Sequence, residues 1–294
     1  MKKHTNWLVD PLQLTLIAGV ASGACQAADL NARDFFTAPV GTTLGVFYVP
    51  MTRDNTYHGS ADTTGKADLK VNAFAWRQLI FTDVCGTLCT PQFIVPLIDV
   101  EARLPGAAQR TRESGIGDPQ VGGTLFFVNE PATRTYTGLL SLITLPMGEY
   151  HSHNPDVSPG ANRWAGNFVL NHTQGVGEKW VLEANLEAQF YGKNHDYFGS
   201  DLEQDPLYRI QAFASYDFTQ SSYGALRLIH ADGGELRING HRIDNSHKRV
   251  TQLGFEVGHW FDRQNQALVA FTQDVDSDNS YHGSQTLLRL VHVF

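Results

Sequence analysis

Hydrophobic residues recur at every second position along this chain. From Val181 to Tyr191, one parity carries Val181, Glu183, Asn185, Glu187, Gln189 and Tyr191, and the other Leu182, Ala184, Leu186, Ala188 and Phe190. A helix would scatter both sets around its circumference, whereas a strand separates them onto two faces, so this stretch predicts a strand with one polar and one apolar side. The same division sets Ile94, Ile98, Val100, Ala102 and Leu104 against Asp99, Glu101 and Arg103. It returns at Tyr208, Ile210, Ala212, Ala214 and Tyr216 against Arg209, Gln211, Ser215 and Asp217, and at Leu253, Phe255 and Val257 against Gln252 and Glu256. Followed through the chain, alternation predicts strands at about 41–49, 68–82, 92–104, 117–128, 134–145, 164–173, 179–191, 207–218, 223–232, 249–261, 266–275 and 285–294. In the second of these Arg77 shares parity with Leu69, Val71 and Ala73, which suggests a bulge.

The connections add direction. Those after odd-numbered strands are long and polar, roughly 9 to 18 residues, while those after even strands are mostly tight turns such as 129–133, 219–222 and 262–265. A soluble sandwich has no reason to put all its long loops at one end. The fold class is therefore all-β: an antiparallel transmembrane β-barrel of about 12 strands, with short periplasmic turns and long external loops. Phe81, Phe93, Phe127, Tyr136, Trp180, Phe218, Tyr223, Trp260 and Phe261 flank the short turns and predict a periplasmic aromatic girdle. The chain ends in an alternating strand closed by Phe294, with Leu288 and Leu290 on the same parity. This resembles the insertion signal of bacterial outer-membrane proteins and implies the barrel-assembly machinery as a partner; His292 departs from the pattern.

Composition removes other classes. Across 294 residues, 42% are hydrophobic, 11% aromatic and only 18% charged, which excludes a disordered chain. A net charge of -8 argues against a nucleic-acid partner. Lys2, Lys3 and His4, the apolar stretch from Leu12 to Ala21 and the small residues around Ala27 read as a signal peptide over residues 1–27. Its removal leaves Cys85 and Cys89 as the remaining cysteines, and in an oxidising compartment a local disulfide is expected. Residues 28–40 are too short for a domain and are read as a periplasmic tether, with a lumenal plug as the alternative; the barrel occupies 41–294.

Candidate chemistry follows from the strand faces. If apolar parities face lipid, the lumen receives Glu101, Arg103, Glu183, Glu187, Arg209, Arg227 and Glu256, where opposite charges pair and are expected to meet a solute. Twelve strands lie between barrels filled by side chains and barrels with open channels, so a narrow, gated or partly plugged pore is expected. The chain also echoes itself: Asn55-Thr56-Tyr57-His58-Gly59-Ser60 returns as Asn279-Ser280-Tyr281-His282-Gly283-Ser284. Barrel closure pairs the first strand with the last, so Tyr57, His58, Tyr281 and His282 should meet at the external rim and could clamp an aromatic solute or close over it. Catalysis is poorly served. Ser152, with His151 and His153 beside it and His172 a strand's length away, lacks an orienting group, and two loop histidines leave a metal shell incomplete. No cofactor is expected.

Specific stretches carry a family likeness: "ARDFFTAPVGTTLGVFYVP", "GIGDPQVGGTLFFVN", "LPMGEY" followed by "GANRWAGNFVLN", "FYGKN" with "QDPLYRIQAFASYDF", and "GGELRINGHRIDN". From about Arg33 to Phe294 the chain resembles the outer-membrane family named for the meta-pathway of phenol degradation. The resemblance implies an outer-membrane barrel associated with uptake of aromatic or hydrophobic compounds. The expectation is a passive channel for small aromatic or hydrophobic solutes in a Gram-negative outer membrane, embedded in outer-membrane lipid. An outer-membrane lipid hydrolase and a non-transporting structural or surface-binding barrel are the alternatives.

Overall fold

The computed structural model describes residues 30–59, 65–84, 86–103 and 109–294. The first wall elements are β1 (Thr43–His58), β2 (Gly65–Ile80), the short β3 (Thr82–Val84), β4 (Thr87–Arg103), β5 (Thr111–Ile116) and β6 (Gln120–Glu130). Next come β7 (Thr135–Thr144), β8 (Ala165–Val176) and β9 (Trp180–Tyr191), then two loop strands, β10 (Asn194–Tyr197) and β11 (Ser200–Gln204). The remainder comprises β12 (Leu207–Asp217), β13 (Ser222–Gly233), the loop strands β14 (Leu236–Ile238) and β15 (His241–Arg242), and β16 (Lys248–Trp260), β17 (Asn265–Asp278) and β18 (Ser280–Val293). Sequential wall strands pair antiparallel, and β1 pairs β18 from Leu44↔Val293 to His58↔Ser280. With β5 and β6 counted as two stretches of one strand on β4, this is the expected closed barrel of twelve strands. Closure leaves the ring of twelve strands without a free edge at membrane level, so backbone groups there find partners without water.

The wall is interrupted once between β5 and β6, at Gly117-Asp118-Pro119. Beyond it β5 pairs with β4 alone, and the connection from 145 to 164 takes the place of the next strand. The Asp118 carboxylate holds that connection by accepting hydrogen bonds from the Gly148 and Ala161 backbone N–H groups at 2.8 and 2.7 Å. On the external side, β10, β11, β14 and β15 form a separate four-stranded sheet around Tyr197, Leu202 and Leu236.

Strand faces match the expected sidedness over most of the barrel. In β9, Leu182 and Leu186 are exposed toward lipid while Glu183, Asn185 and Glu187 are buried inside. On β2 and β4 the assignment is reversed. Leu69, Val71, Ile98, Val100 and Ala102 are buried in the lumen, so Glu101 and Arg103, expected there, lie on the outer face with Asp99. Height explains the reversal. Sixteen residues of β1 or β2 extend about 50 Å along the strand, roughly 35–40 Å of height at a barrel tilt near 45°, against about 30 Å of hydrocarbon, so part of this wall stands in water. Lower on the same outward parity stand the exposed Phe74, Trp76 and Leu97, as lipid requires. Arg77 is therefore an ordinary inward residue, donating to Gln92 Oε1 at 2.5 Å and to the Tyr48 hydroxyl at 3.3 Å; the bulge lies on β1, between Asp54 and Thr56.

Other expectations change too. The sixth long connection is a single residue, Asn279, in the left-handed region at φ 50°, because the strands on either side continue upward through the sequence echo. The girdle is split: Phe127, Trp180, Phe218 and Phe261 are exposed, but Phe81, Tyr136 and Tyr223 turn inward and are buried. Cys89 is paired in register with Thr82; Cys85 and the signal peptide lie outside the described residues.

These faces give an expected ranking. Leu186→Arg, placing a cation on the lipid side, costs about 2–4 kcal/mol near mid-bilayer. Glu101→Gln removes only exposed ion pairs and costs less than about 1 kcal/mol. Equilibrium refolding into lipid vesicles measures both; equal costs would refute the outward placement of Glu101.

Candidate functional site in the lumen

The sequence Asn31-Ala32-Arg33-Asp34 makes a tight turn. Asp34 accepts from its own segment, at the Asn31 N–H, 3.0 Å away, and Arg33 takes a left-handed φ of 70°. Residues 30–36 are thereby folded into the barrel interior rather than hanging beneath it, which departs from the favoured tether. Leu30, Ala32 and Phe35 join the largest buried apolar cluster, and Phe36 packs on Tyr136 with ring centres 5.1 Å apart.

The expected lumenal charges on β9, β12, β13 and β16 are buried inside, where most serve this segment or one another. Glu183 accepts the Arg33 backbone N–H at 2.9 and 3.0 Å. Glu256 accepts from the Ala32 N–H at 2.9 Å and from Asn31 Nδ2 at 3.1 Å. Arg227 donates to the Leu30 carbonyl at 3.2 Å and lies 3.6 Å from Glu256. The Arg33 guanidinium reaches Asp217 at 2.7 Å and lies over the Tyr223 ring, 4.1 Å from its centre. Arg289, a lumenal residue that sequence reasoning missed, forms an ion pair with Asp34. Its parity with Leu287 and Val291 concealed it, since all three point inward at the base of the barrel. Arg209 and Glu187 pair at 3.2 Å farther up. A cavity of about 360 Å³ remains beside the N-terminal segment, lined by Phe36, Leu44, Val46, Tyr48, Phe126 and Tyr223 among others.

The external half of the lumen has a different character. Tyr57 and Tyr281 are register partners on β1 and β18, with rings 5.3 Å apart in an edge-to-face arrangement. His58 and His282 stack at 4.5 Å, and each Nδ1 lies 3.0 Å from Ser277 Oγ. The structure thus joins the two halves of the sequence echo. The tyrosines belong to a buried apolar cluster with Ala67, Leu69, Val71, Ile98, Val100 and Ala102, closed from above by Val157 of the 145–164 connection. This dry wall is the feature that the sequence reading placed on the wrong face. Within it the Tyr281 hydroxyl is buried with no hydrogen-bond partner among the described residues. Such an atom costs about 1–3 kcal/mol unless something supplies its bond.

Beside Val157, Asp156 is buried and receives a hydrogen bond from the Tyr197 hydroxyl at 2.6 Å, tying the connection to the external sheet. Burial pushes its carboxyl from 3.8 up to about 7. Among the described residues there is no group of three or more potential metal ligands. Ser152 sits on the same connection; His151 lies 3.7 Å from Glu113, and the exposed His172 contacts Thr137 at 2.9 Å. No nucleophile, base and orienting group converge there.

Two measurable consequences follow from these contacts. Glu187→Leu should cost about 3–5 kcal/mol, because it breaks a buried ion pair with Arg209, whereas Glu187→Leu with Arg209→Leu should recover part of that loss. Refolding equilibria in vesicles read both, and a double variant no better than the single would refute the pairing. At Asp156 the folded carboxyl holds its proton to higher pH than the unfolded one. The docked connection therefore loses stability as pH climbs from about 4 to about 7 and levels off above. Hydrogen exchange of residues 145–164, corrected for intrinsic pH effects, should show weaker protection at pH 8 than at pH 5, and Asp156→Asn should flatten the difference. Equal protection at both pH values in the unaltered protein would contradict the buried acid.

The family model described as "Putative MetA-pathway of phenol degradation" matches residues 52–290. Among solved structures, an outer membrane channel from Pseudomonas putida F1 superposes with a TM-score of 0.83 at 24% identity, over 90% of this chain and 100% of that one. The transport unit of the autotransporter AIDA-I from Escherichia coli gives 0.56 at 10% identity, over 95% and 99%. The β domain of the Bordetella autotransporter BrkA gives 0.55 at 9% identity, over 86% and 100%. No curated protein matches the chain in sequence.

Proposed function

The chain belongs to the family of that phenol-degradation description, whose model spans most of it, and from this premise we propose that it is a passive outer-membrane channel for small aromatic or hydrophobic solutes. The observation that carries the reading is the dry inner wall. Leu69, Val71, Ile98 and Val100 line the external half of the lumen although the outer face of the same strands is charged. A channel for polar solutes gains nothing from such an inversion, while an aromatic ring leaving water for this surface gains about 25 cal/mol per Å² covered. Tyr57 and Tyr281 supply apolar faces for a ring, and the unpartnered Tyr281 hydroxyl supplies one hydrogen bond for a solute hydroxyl. Below them the N-terminal segment and its charges form a stopper that must shift for passage.

Flux into proteoliposomes tests the reading. The unaltered protein should admit phenol and toluene faster than a polar solute of similar size. Val100→Thr, which keeps the shape but adds a hydroxyl to the dry wall, should slow both aromatics several-fold. Tyr281→Phe should slow phenol and leave toluene unchanged. No aromatic flux above that of empty vesicles would return the chain to the structural or surface-binding class.

A further inference from the structure

The outer surface of the tall wall carries a second kind of site. We propose that the outer faces of β1, β2, β4 and β5 bind the phosphate groups of a phosphorylated glycolipid of the outer leaflet, the lipid A portion of lipopolysaccharide. The inference relies on the membrane placement of the barrel, and not on its solute.

The outward parity of these strands is apolar up to Met51, Phe74, Leu97 and Ile116, all exposed. Immediately above that level the character changes on every strand. Register aligns Arg53 with Lys70, Lys70 with Glu101, and Glu101 with Arg112, so one row of charged side chains crosses four strands. Neighbouring strands lie about 4.8 Å apart, which sets the cations of this row roughly 5 to 15 Å from one another, within the span of a diphosphorylated headgroup. The apolar-to-charged step is where lipid headgroups begin.

The row and its surroundings hold five cations, Arg53, Lys70, Arg103, Arg110 and Arg112, against Asp68, Asp99, Glu101 and, beside Ile116, Glu149. This excess of positive charge occurs on a chain whose net charge is -8. The carboxylates position the guanidinium groups more than they neutralise them. Asp99 holds Arg112 at 2.8 and 3.1 Å, yet 65% of the Arg112 side chain stays exposed. Arg110 bridges Glu101 at 2.8 Å and Asp68 at 3.2 Å while nearly half exposed. Arg53 donates to Asn72 Oδ1 at 2.6 Å and to backbone carbonyls, with no carboxylate partner among the described residues. Held guanidinium groups with outward N–H donors match phosphate oxygens in charge and geometry. Beneath the row a groove of about 410 Å³ opens outward, lined by Asn72, Asp99, Ser114 and Glu149 as well as Leu97 and Ile116, and the exposed apolar surface of Met51, Phe74, Leu97 and Ile116 is where acyl chains would lie.

The test is co-purification and native mass spectrometry of the folded barrel in detergent with diphosphorylated lipid A, its dephosphorylated form and phosphatidylethanolamine. Diphosphorylated lipid A should be retained at least tenfold more than the other two. The combined variant Arg53→Gln, Lys70→Gln and Arg112→Gln should reduce that retention about tenfold while keeping heat-resistant barrel mobility and solute flux. A control carrying Lys193→Gln, Arg237→Gln and Arg242→Gln in the external sheet should retain it. Millimolar inorganic phosphate should compete only partly, because it lacks the acyl chains. Equal retention of the dephosphorylated lipid, unchanged retention in the row variant, equal loss in the control, or full displacement by phosphate alone would each overturn the proposal. Flux unaffected by any of these leaves the channel reading standing by itself.

Discussion

Closure of the hydrogen-bond ladder between β1 and β18 is the constraint from which the rest of this molecule follows. In hydrocarbon an unpaired backbone N–H or C=O costs several kcal/mol, so the first wall strand must meet the last. Once the ring is shut, its circumference is set by twelve strands and its interior is larger than inward side chains alone can fill. The interior is completed by residues 30–36 below and the 145–164 connection above. Each brings its own polar backbone, and each is met by buried side chains placed to receive it: Glu183 and Glu256 for the first, Asp118 for the second.

Buried charge in this barrel is organised around chain segments more than around open space. Glu256 and Glu183 accept backbone N–H groups, Arg227 donates to a backbone carbonyl, and Arg289 and Arg33 span the gap between the segment and the wall. Burial of so many polar and ionisable groups would be prohibitive if they were unpaired, and pairing turns the same groups into fasteners. Among the described residues the external half along β2 and β4 carries a buried apolar cluster in place of such a network.

What could be read from sequence divides along the same line. Alternation is a property of a few neighbouring residues, so strand positions, the closed barrel and the meeting of Tyr57 with Tyr281 were all legible. Which parity faces lipid is not local. It depends on the height of a residue above the membrane, and so Glu101 and Arg103 were placed inside while Val100 and Ala102 were placed outside. Arg77 held the clue: it broke a supposed lipid face, and the correct response was to turn the face over rather than to invoke a bulge. Arg289 was hidden for another reason, since its inward parity is shared with the apolar Leu287 and Val291. Around Asn279 alternation fades into apparent loop, because polar residues on a strand in water look like loop residues. The lumenal placement of residues 30–36 rests on polar partners 150 or more positions distant, which no window of sequence contains.

Those distances also order events in time. Asn31, Ala32, Arg33 and Asp34 precede every wall strand, yet their contacts are with Glu183, Asp217, Glu256 and Arg289, the last of which lies on β18, the closing strand of the barrel. Loop-closure entropy makes such contacts slow to form, and here they have no binding surface at all until the final strand has zipped against the first. The socket for residues 30–36 is therefore complete only when β18 is in place, which sets their docking after the ring has shut.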